Sequence, residues 1–454
     1  MEEKSTLGWF NKQFSNLKAL NCSPQQLQNF GYLISNKNIK TKWRAVPSSI
    51  AEGYHLLGMQ VVGRRGLRID DQIYRKSPRL QQIVPRGLCF VFKRETDTLH
   101  LISIVYPTSK FFGDDDQDEE VVVVDDDEVQ KEVPQGTRLI STEKANGEMF
   151  TVTVVGQTAD GSWLIVLGSK NNKFLFHLNP KKTTDRQVKS MIKEYSGNAD
   201  GYPDIDMEAK PGWTYMNVWI EMSEFFLLFL LSRPDAADSF CRRLHEEKWT
   251  ACGEFESFIH PHLVPLQRGH KTVKFFALTS YNEEGSPRET SGAQRLKDLD
   301  WLQETGFETV TRLELSPTTD IMQLRREVWH RDGEEGLVLL VLNPDNGEIL
   351  RMFKMKTVWY VVYRGLREKI RNMMKRGGLN KPDQMKSEFR KTIQKKLDIF
   401  KLHDEDNKRW LAVADSMSDA VTKAYEEGED KFGDIFRYRY PDLIEKSESS
   451  RMKV

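Results

Sequence analysis

Between Arg86 and Lys356 the chain is written as short apolar, strand-like runs separated by polar turns, and after Tyr363 such runs stop. GLCFVF and LHLISIVY flank the polar stretch KRETDT as in a hairpin; EMFTVTVV, WLIVLGSK and FLFHL follow as a meander that turns at Ala159-Asp160-Gly161. VKFFALTSY adds a strand, and EGLVLLVL and EILRMFKMK add two more around Pro344-Asp345-Asn346-Gly347. Helical patterns are interleaved at residues 183–200 and 217–248. The second is broken at Ser232-Arg233-Pro234-Asp235, where one helix can stop and the next can start with Pro in its first turn. This order predicts an α+β fold of antiparallel sheets with flanking helices. Downstream, KSEFRKTIQKKLDIFKL and RWLAVADSMSDAVTKAY predict a separate all-helical module reaching about residue 427, with Gly377-Gly378 as a break. The β-rich texture begins at Arg86, and the residues before about 75 mix polar and apolar positions in a way that predicts a few short helices. The expected units are therefore an N-terminal extension of unassigned role (1–75), a mixed central domain (76–363) and a helical C-terminal domain (364–454). No internal repeat is visible.

A chain of 454 residues is long enough for two or three such units with a substantial core. Lys plus Arg and Asp plus Glu each number 67, so any nucleic-acid site must arise from local segregation of charge. The start, MEEKSTLGWFNKQF, has no apolar core of a secretory signal. Cys22, Cys89, Cys241 and Cys252 are dispersed without a CxxC pair, which points to reduced thiols in an intracellular protein, cytoplasmic or nuclear. Phe225 to Leu231 is too short a run to span a bilayer and reads as a buried helix, so no membrane partner is expected. The run DDDQDEEVVVVDDDE from Asp114 to Glu128 reads as a solvated, mobile insertion. His260-Pro261-His262 reads as a loop, since zinc needs three or four ligands, and the scattered Trp residues read as core.

The candidate chemistry centres on Glu143-Lys144-Ala145-Asn146-Gly147, a lysine followed three places later by glycine and then by a strand. About two KxxG matches are expected by chance in a chain of this composition, so the motif needs company. It has company in order: Pro85-Arg86-Gly87 and Ser109-Lys110-Phe111-Phe112-Gly113 upstream, then Gly168-Ser169-Lys170, Gly253-Glu254-Phe255-Glu256, Glu334-Glu335-Gly336-Leu337-Val338 and Phe353-Lys354-Met355-Lys356-Thr357-Val358-Trp359-Tyr360 downstream. This set, spread over about residues 80 to 363, resembles the covalent nucleotidyltransferase superfamily, and within it the phage RNA ligase 1 family and the fungal tRNA ligases. Asn146 stands where the family often has Asp and matches the fungal variant.

The resemblance implies a nucleotidyltransferase core around an ATP cleft. It also implies a three-step reaction: AMP taken onto Lys144, passed to an RNA 5′-phosphate, and displaced by a 3′-hydroxyl. ATP and Mg2+ or Mn2+ are the implied cofactors, and RNA bearing 5′-phosphate and 3′-hydroxyl ends is the implied partner. No GxxxxGK[ST] phosphate loop accompanies it, so end-healing would fall to separate enzymes. By resemblance Arg86 and Lys110 contact the ATP phosphates, Lys170 adds a phosphate or nucleotide contact, Glu143 belongs to the nucleotide site, Glu254 holds the ribose and Glu335 engages the metal. Glu256 and Glu334 remain alternatives for the last two roles.

An amine attacks the α-phosphorus only when neutral, so Lys144 needs desolvation and nearby cations. Lys354 and Lys356, two apart on one strand, would point to one face and reach one polyphosphate. Gly147 would let the backbone turn tightly beside the nucleotide. Two other readings stay open: a capping-type guanylyltransferase, which uses GTP and which the helical tail disfavours, and a noncatalytic RNA-binding protein of the same fold. Residues 364–401 are rich in cations, among them Arg364, Arg367, Lys369, Arg371, Lys386, Arg390 and Lys396, which suggests RNA-backbone contact separate from ATP chemistry.

Overall fold

A computed structural model describes residues 2–62, 70–111, 115–117, 120–122, 133, 137–196, 218–282, 292–316, 318–376, 382–427 and 432–451. The first sheet contains β1 (Ala19–Asn21), β2 (Ile39–Ala45), β3 (Tyr54–Val61), β4 (Cys89–Glu95) and β5 (Thr98–Val105) in the order β1-β5-β4-β3-β2. Only β1 and β5 run parallel. The β4–β5 hairpin falls where the sequence predicts it. Strands nevertheless start at Ala19, which corrects the expectation of only short helices before residue 75. β2 reads IKTKWRA, with Lys40, Lys42 and Arg44 on one face and Trp43 on the other, so its charge hides a half-buried edge strand. Trp43 packs with Phe10, Phe14 and Phe92, and this aromatic core also takes helices α1 (Glu2–Asn11) and α2 (Pro24–Ser35). Ser23 and Gln26 close a capping box at the start of α2. β3, before position 75, pairs with β4, after it, and both share this core.

Within the acidic run, β6 (Asp115–Gln117) pairs antiparallel with β7 (Glu120–Val122); the rest of the run, and with it the reading of a solvated insertion, lies largely outside the described residues. The chain then alternates between two sheets. One contains β8 (Arg138–Glu143); the other contains β9 (Glu148–Gln157), β10 (Trp163–Ser169), β11 (Lys173–Leu178), β12 (Thr250–Ser257), β13 (Lys271–Thr279) and β14 (Glu308–Thr309) in the order β11-β10-β9-β12-β13-β14. Strands β15 (Arg312–Glu314), β16 (Gly336–Leu342) and β17 (Ile349–Lys356) complete the β8 sheet as β15-β8-β16-β17, antiparallel throughout.

Helices α3 (Asp185–Ser196), α4 (Val218–Leu231) and α5 (Pro234–Glu246) bury apolar faces in the core of the six-stranded sheet. The Phe225–Leu231 run lies in α4, where Phe226, Leu227 and Leu230 are buried, and Pro234 opens α5 as the sequence predicts. Residues 197–217 lie outside the described part. Helix α6 (Gly292–Glu304) packs beside β13, and α7 (Ile321–Trp329), capped by Asp320, covers the four-stranded sheet with Leu324 and Val328.

Thr357 caps α8 (Val358–Lys375), which leads into α9 (Pro382–Phe400), α10 (Asp404–Glu426) and α11 (Phe432–Arg451). The Gly377-Gly378 break falls outside the described residues. α8 runs continuously through position 363, and Val358 to Tyr363 are buried in the helical core. The physical reason is the amphipathic surface of α8, whose buried stripe needs α9 to α11 to cover it. The mixed, antiparallel-rich α+β architecture with a C-terminal helical segment agrees with the sequence reading. The nine described Trp residues all lie in or against an apolar core. No described helix is long and apolar enough to cross a membrane, and the four cysteines are free thiols.

Candidate active site

The Lys144-Ala145-Asn146-Gly147 turn carries the chain from β8 in the four-stranded sheet to β9 in the six-stranded one. Two backbone bonds hold its entry: Glu143 N–H donates to Thr311 O at 2.9 Å, and Lys144 N–H donates to Gly336 O at 3.0 Å. Asn146 is fixed from outside the turn. Its Oδ1 accepts from the backbone N–H groups of Leu263 and Val264, each at 3.1 Å, so its Nδ2 must face the other way and donates to Glu335 Oε2 at 2.7 Å. The other oxygen, Glu335 Oε1, meets Lys144 Nζ at 2.7 Å. Burial alone would raise the Glu335 carboxyl, but the charges of Lys144 and Lys356 and the bonds from Lys144 and Asn146 outweigh it and hold it at about 2. The sequence reading gave Gly147 a place beside the ligand. It lines the cleft, yet the tighter constraint is β12: a Cβ there would run into the Phe255 carbonyl oxygen.

Asn146 thus bonds protein rather than presenting a free amide to a ligand. Asn146→Asp would set a second carboxylate oxygen against Glu335 Oε2. The variant is expected to lose on the order of 2 kcal/mol or more at neutral pH, with the deficit shrinking as pH falls into the carboxylate range. Matching melting temperatures for variant and parent across that range would reject the donor role of the amide.

Around Lys144 opens a cleft of about 370 Å³ whose wall includes Arg86, Lys110, Glu143, Gly147, Lys170, Glu254, Glu335 and Lys354. All three large sheets supply it. Arg86 comes from the turn before β4, Lys110 from the segment after β5, Lys170 from the β10–β11 turn, Glu254 from β12 and Lys354 from β17. Lys354 Nζ lies 4.6 Å from the Phe111 ring centroid, which uses the first aromatic of the KFF motif as a platform; Phe112 is outside the described residues. Lys356 corrects the expectation that both lysines line one ligand site. It is absent from the cleft wall, is only 2% exposed, sits 5.5 Å from the Tyr360 ring centroid and acts on Glu335. The register explains this: Lys354 pairs opposite Val338, whereas Lys356 pairs opposite Gly336, next to Glu335.

Glu254 and Glu335 differ in how their oxygens are used. Glu254 Oε2 is sealed from solvent and has no hydrogen-bond partner among the described residues. Burial, helped by the nearby Glu335 and Glu148 carboxylates and opposed by Lys144 and Arg86, pushes its carboxyl up to about 8. A donor such as a hydroxyl group would satisfy that oxygen. The pH consequence follows from a folded-state value above the ordinary one of 4.5: the folded protein holds the extra proton, so stability declines as pH rises from about 4.5 to about 8. Glu254→Gln removes this decline, and its melting temperature should gain on the parent's across that window. A constant difference would show that Glu254 titrates normally.

The alternatives are placed elsewhere. Glu256 pairs with Lys274 at 3.4 Å and His270 at 3.3 Å and borders a neighbouring cavity, as does Glu334, which is half-buried and pairs with Arg331 at 3.4 Å. Glu143 is tied to Lys274 at 2.8 Å and accepts from Thr311 N–H and Oγ1 at 3.3 Å. Glu148, His262, Arg364 and Arg367 also line the cleft and were missed as site residues. His262 Nε2 lies 3.3 Å from Glu148 Oε1, and the loop that brings it in is the same one that orients Asn146. Arg364 and Arg367 were assigned to a separate module; α8 brings them to the cleft because it starts directly after Lys356. Several other cations of the basic segment are neutralised within the bundle: Lys369 by Glu388, Arg371 by Glu368, and Lys386 and Arg390 by Asp415. His260 is buried against Glu221 at 3.3 Å, and the described residues contain no group of three His, Cys, Asp or Glu placed to hold a metal ion.

No protein-family model and no curated protein matches the chain. Among solved structures, it is similar to RNA ligases of Naegleria gruberi. A mutant with AMP and Mn is 16% identical over 52% of this chain and 53% of that chain, with a TM-score of 0.25. A mutant with ATP and Mn is 15% identical over 71% and 96%, at 0.25, and an apo mutant is 15% identical over 71% and 97%, at 0.26. The chain spans about half the length of the first of these and nearly all of the other two. At these TM-scores the likeness transfers neither a residue role nor an activity to this chain.

Proposed function

We propose that the protein is an ATP-dependent RNA ligase that carries AMP on Lys144. The observation that supports this most directly is one lysine amine, fixed by a buried carboxylate at 2.7 Å, inside a cleft walled by Arg86, Lys110, Lys170 and Lys354. Four converging cations with one nucleophile suit a polyphosphate ligand that is attacked in place.

In this reading Lys144 Nζ forms a bond to the α-phosphorus of ATP, pyrophosphate leaves, and the ammonium proton passes to solvent. An RNA 5′-phosphate oxygen then attacks the same phosphorus and breaks the P–N bond, restoring Lys144. A 3′-hydroxyl finally attacks the RNA phosphate, joins the strands and releases AMP. Glu335 and Asn146 orient the amine, Lys354 with Arg86 and Lys110 offsets phosphate charge, and the unmet oxygen of Glu254 suits a ribose hydroxyl. A divalent cation, Mg2+ or Mn2+, would supply further neutralisation of the phosphates. Glu335 would help hold it, with phosphate oxygens as its other ligands, the usual mode for Mg2+. Separate enzymes would prepare the RNA ends.

Incubation with α-labelled ATP or GTP and a divalent cation, followed by denaturing electrophoresis, tests the proposal. Acid-labile label from ATP, chased onto 5′-phosphorylated RNA, is expected. Label from GTP alone would make the protein a capping-type guanylyltransferase. RNA binding with no label from either nucleotide would make it a noncatalytic binder.

A further inference from the structure

Outside the cleft, a concentration of positive charge with no ion-pair partner among the described residues lies on the edge strand β2. Lys40, Lys42 and Arg44 occupy alternate positions there and so share one face. None of the three forms an ion pair among the described residues, in contrast to the basic helices of the C-terminal bundle. Across from them stands the β10–β11 turn, where Lys42 Nζ donates to Asn172 Oδ1 at 2.5 Å. Together Lys42, Arg44, Lys170 and Lys173 line a hollow without a single Asp or Glu on its wall.

The crowding has an energetic trace. Partial burial first, and then the like charges of Arg44 and Lys40, draw the Lys42 ammonium below its ordinary value. Arg44 is held in place by stacking, its guanidinium 3.8 Å from the Phe174 ring centroid. Gly87, at φ +93°, permits the approach of the two sheets here, since a Cβ would stand 3.0 Å from the Lys170 carbonyl oxygen. The neighbouring like charges of Lys40, Lys42 and Arg44 are destabilising by themselves, and an external polyanion would offset that cost.

The hollow adjoins the cleft, and Lys170 and Asn171 line both. We infer that the β2 face of Lys40, Lys42 and Arg44 is a track for the phosphodiester backbone of single-stranded RNA leading to the Lys144 cleft. Side chains two apart on a strand repeat at about 6.6 Å, a spacing that suits successive phosphates of an extended strand. The assignment rests on the RNA-ligase reading for the identity of the strand, while the charge geometry stands apart from that reading.

The test is Lys40→Gln/Lys42→Gln, with Lys40→Arg/Lys42→Arg as the charge-retaining control and thermal melting to confirm folding. Binding of a 5′-phosphorylated single-stranded RNA is measured over a salt series beside self-labelling with ATP. Loss of two phosphate contacts should weaken RNA binding about tenfold and flatten the log–log salt slope by about 1.4, while ATP labelling stays within about twofold. The Arg pair should bind as the parent does. Unchanged RNA affinity and slope in the folded Gln pair would overturn the track, as would a parallel drop in ATP labelling, which would make the strip part of the nucleotide site. A parent protein that labels with AMP but whose RNA affinity ignores the strip loses only the track. One that never labels, yet binds RNA through the strip, loses only the ligase reading.

Discussion

Lys144→Ala is expected to bring covalent nucleotide labelling down to background, a loss of at least about 10³-fold, because it removes the proposed nucleophile. The structure adds a cost, because Lys144 is the ion-pair partner of Glu335, which is only 5% exposed. Deleting the amine leaves that carboxylate to Asn146 and Lys356, and a destabilisation of about 1–3 kcal/mol should accompany the lost activity. Lys144→Arg separates the two effects. A guanidinium can keep the contact with Glu335 but stays protonated and cannot act as the nucleophile, so stability should recover while labelling does not. Lysine-linked label on either folded variant would move the nucleophile to another residue.

Lys354→Ala and Lys356→Ala are expected to differ, although the two residues are near neighbours in sequence. Lys354 is on the cleft wall, and its loss should lower labelling about 10²-fold with little change in melting temperature, since a cation facing the ligand is removed. Lys356 is buried behind Glu335, whose low proton affinity depends partly on it. Its removal should cost about 3 kcal/mol of stability and impair labelling indirectly. Melting curves and initial rates of label incorporation for both variants, taken together, check this. A Lys356→Ala protein as stable as its parent, or Lys354→Ala labelling at the parental rate, would contradict the placement of that residue.

Several parts of this arrangement were legible in the residues alone. Short apolar runs bounded by turns marked the hairpin at β4 and β5, the meander from β9 to β11 and the β16–β17 pair, because strands buried on both faces are written as near-continuous apolar segments. The Pro at the start of α5 was equally plain. β1 to β3 were not, since the three cations on one face of β2 masked its alternation and β1 is only three residues long.

Local order along the chain determined which residue types could form a site: a lysine-glycine turn before a strand, paired lysines at the end of another, and carboxylates flanking strands. Only the tertiary structure decided their relations. Gly336 pairs with Lys356 across the ladder, so Lys356 supports Glu335 while Lys354 reaches the cleft. The loop at Leu263 and Val264 turns the Asn146 amide toward Glu335, a contact between residues 189 apart that no spacing rule encodes. The same holds for the β2 cations, whose meeting with the β10–β11 turn depends on how two sheets pack. Side-chain periodicity is a property of one element and is therefore written in its own sequence; charge proximity between elements is set by packing, and packing belongs to the whole chain.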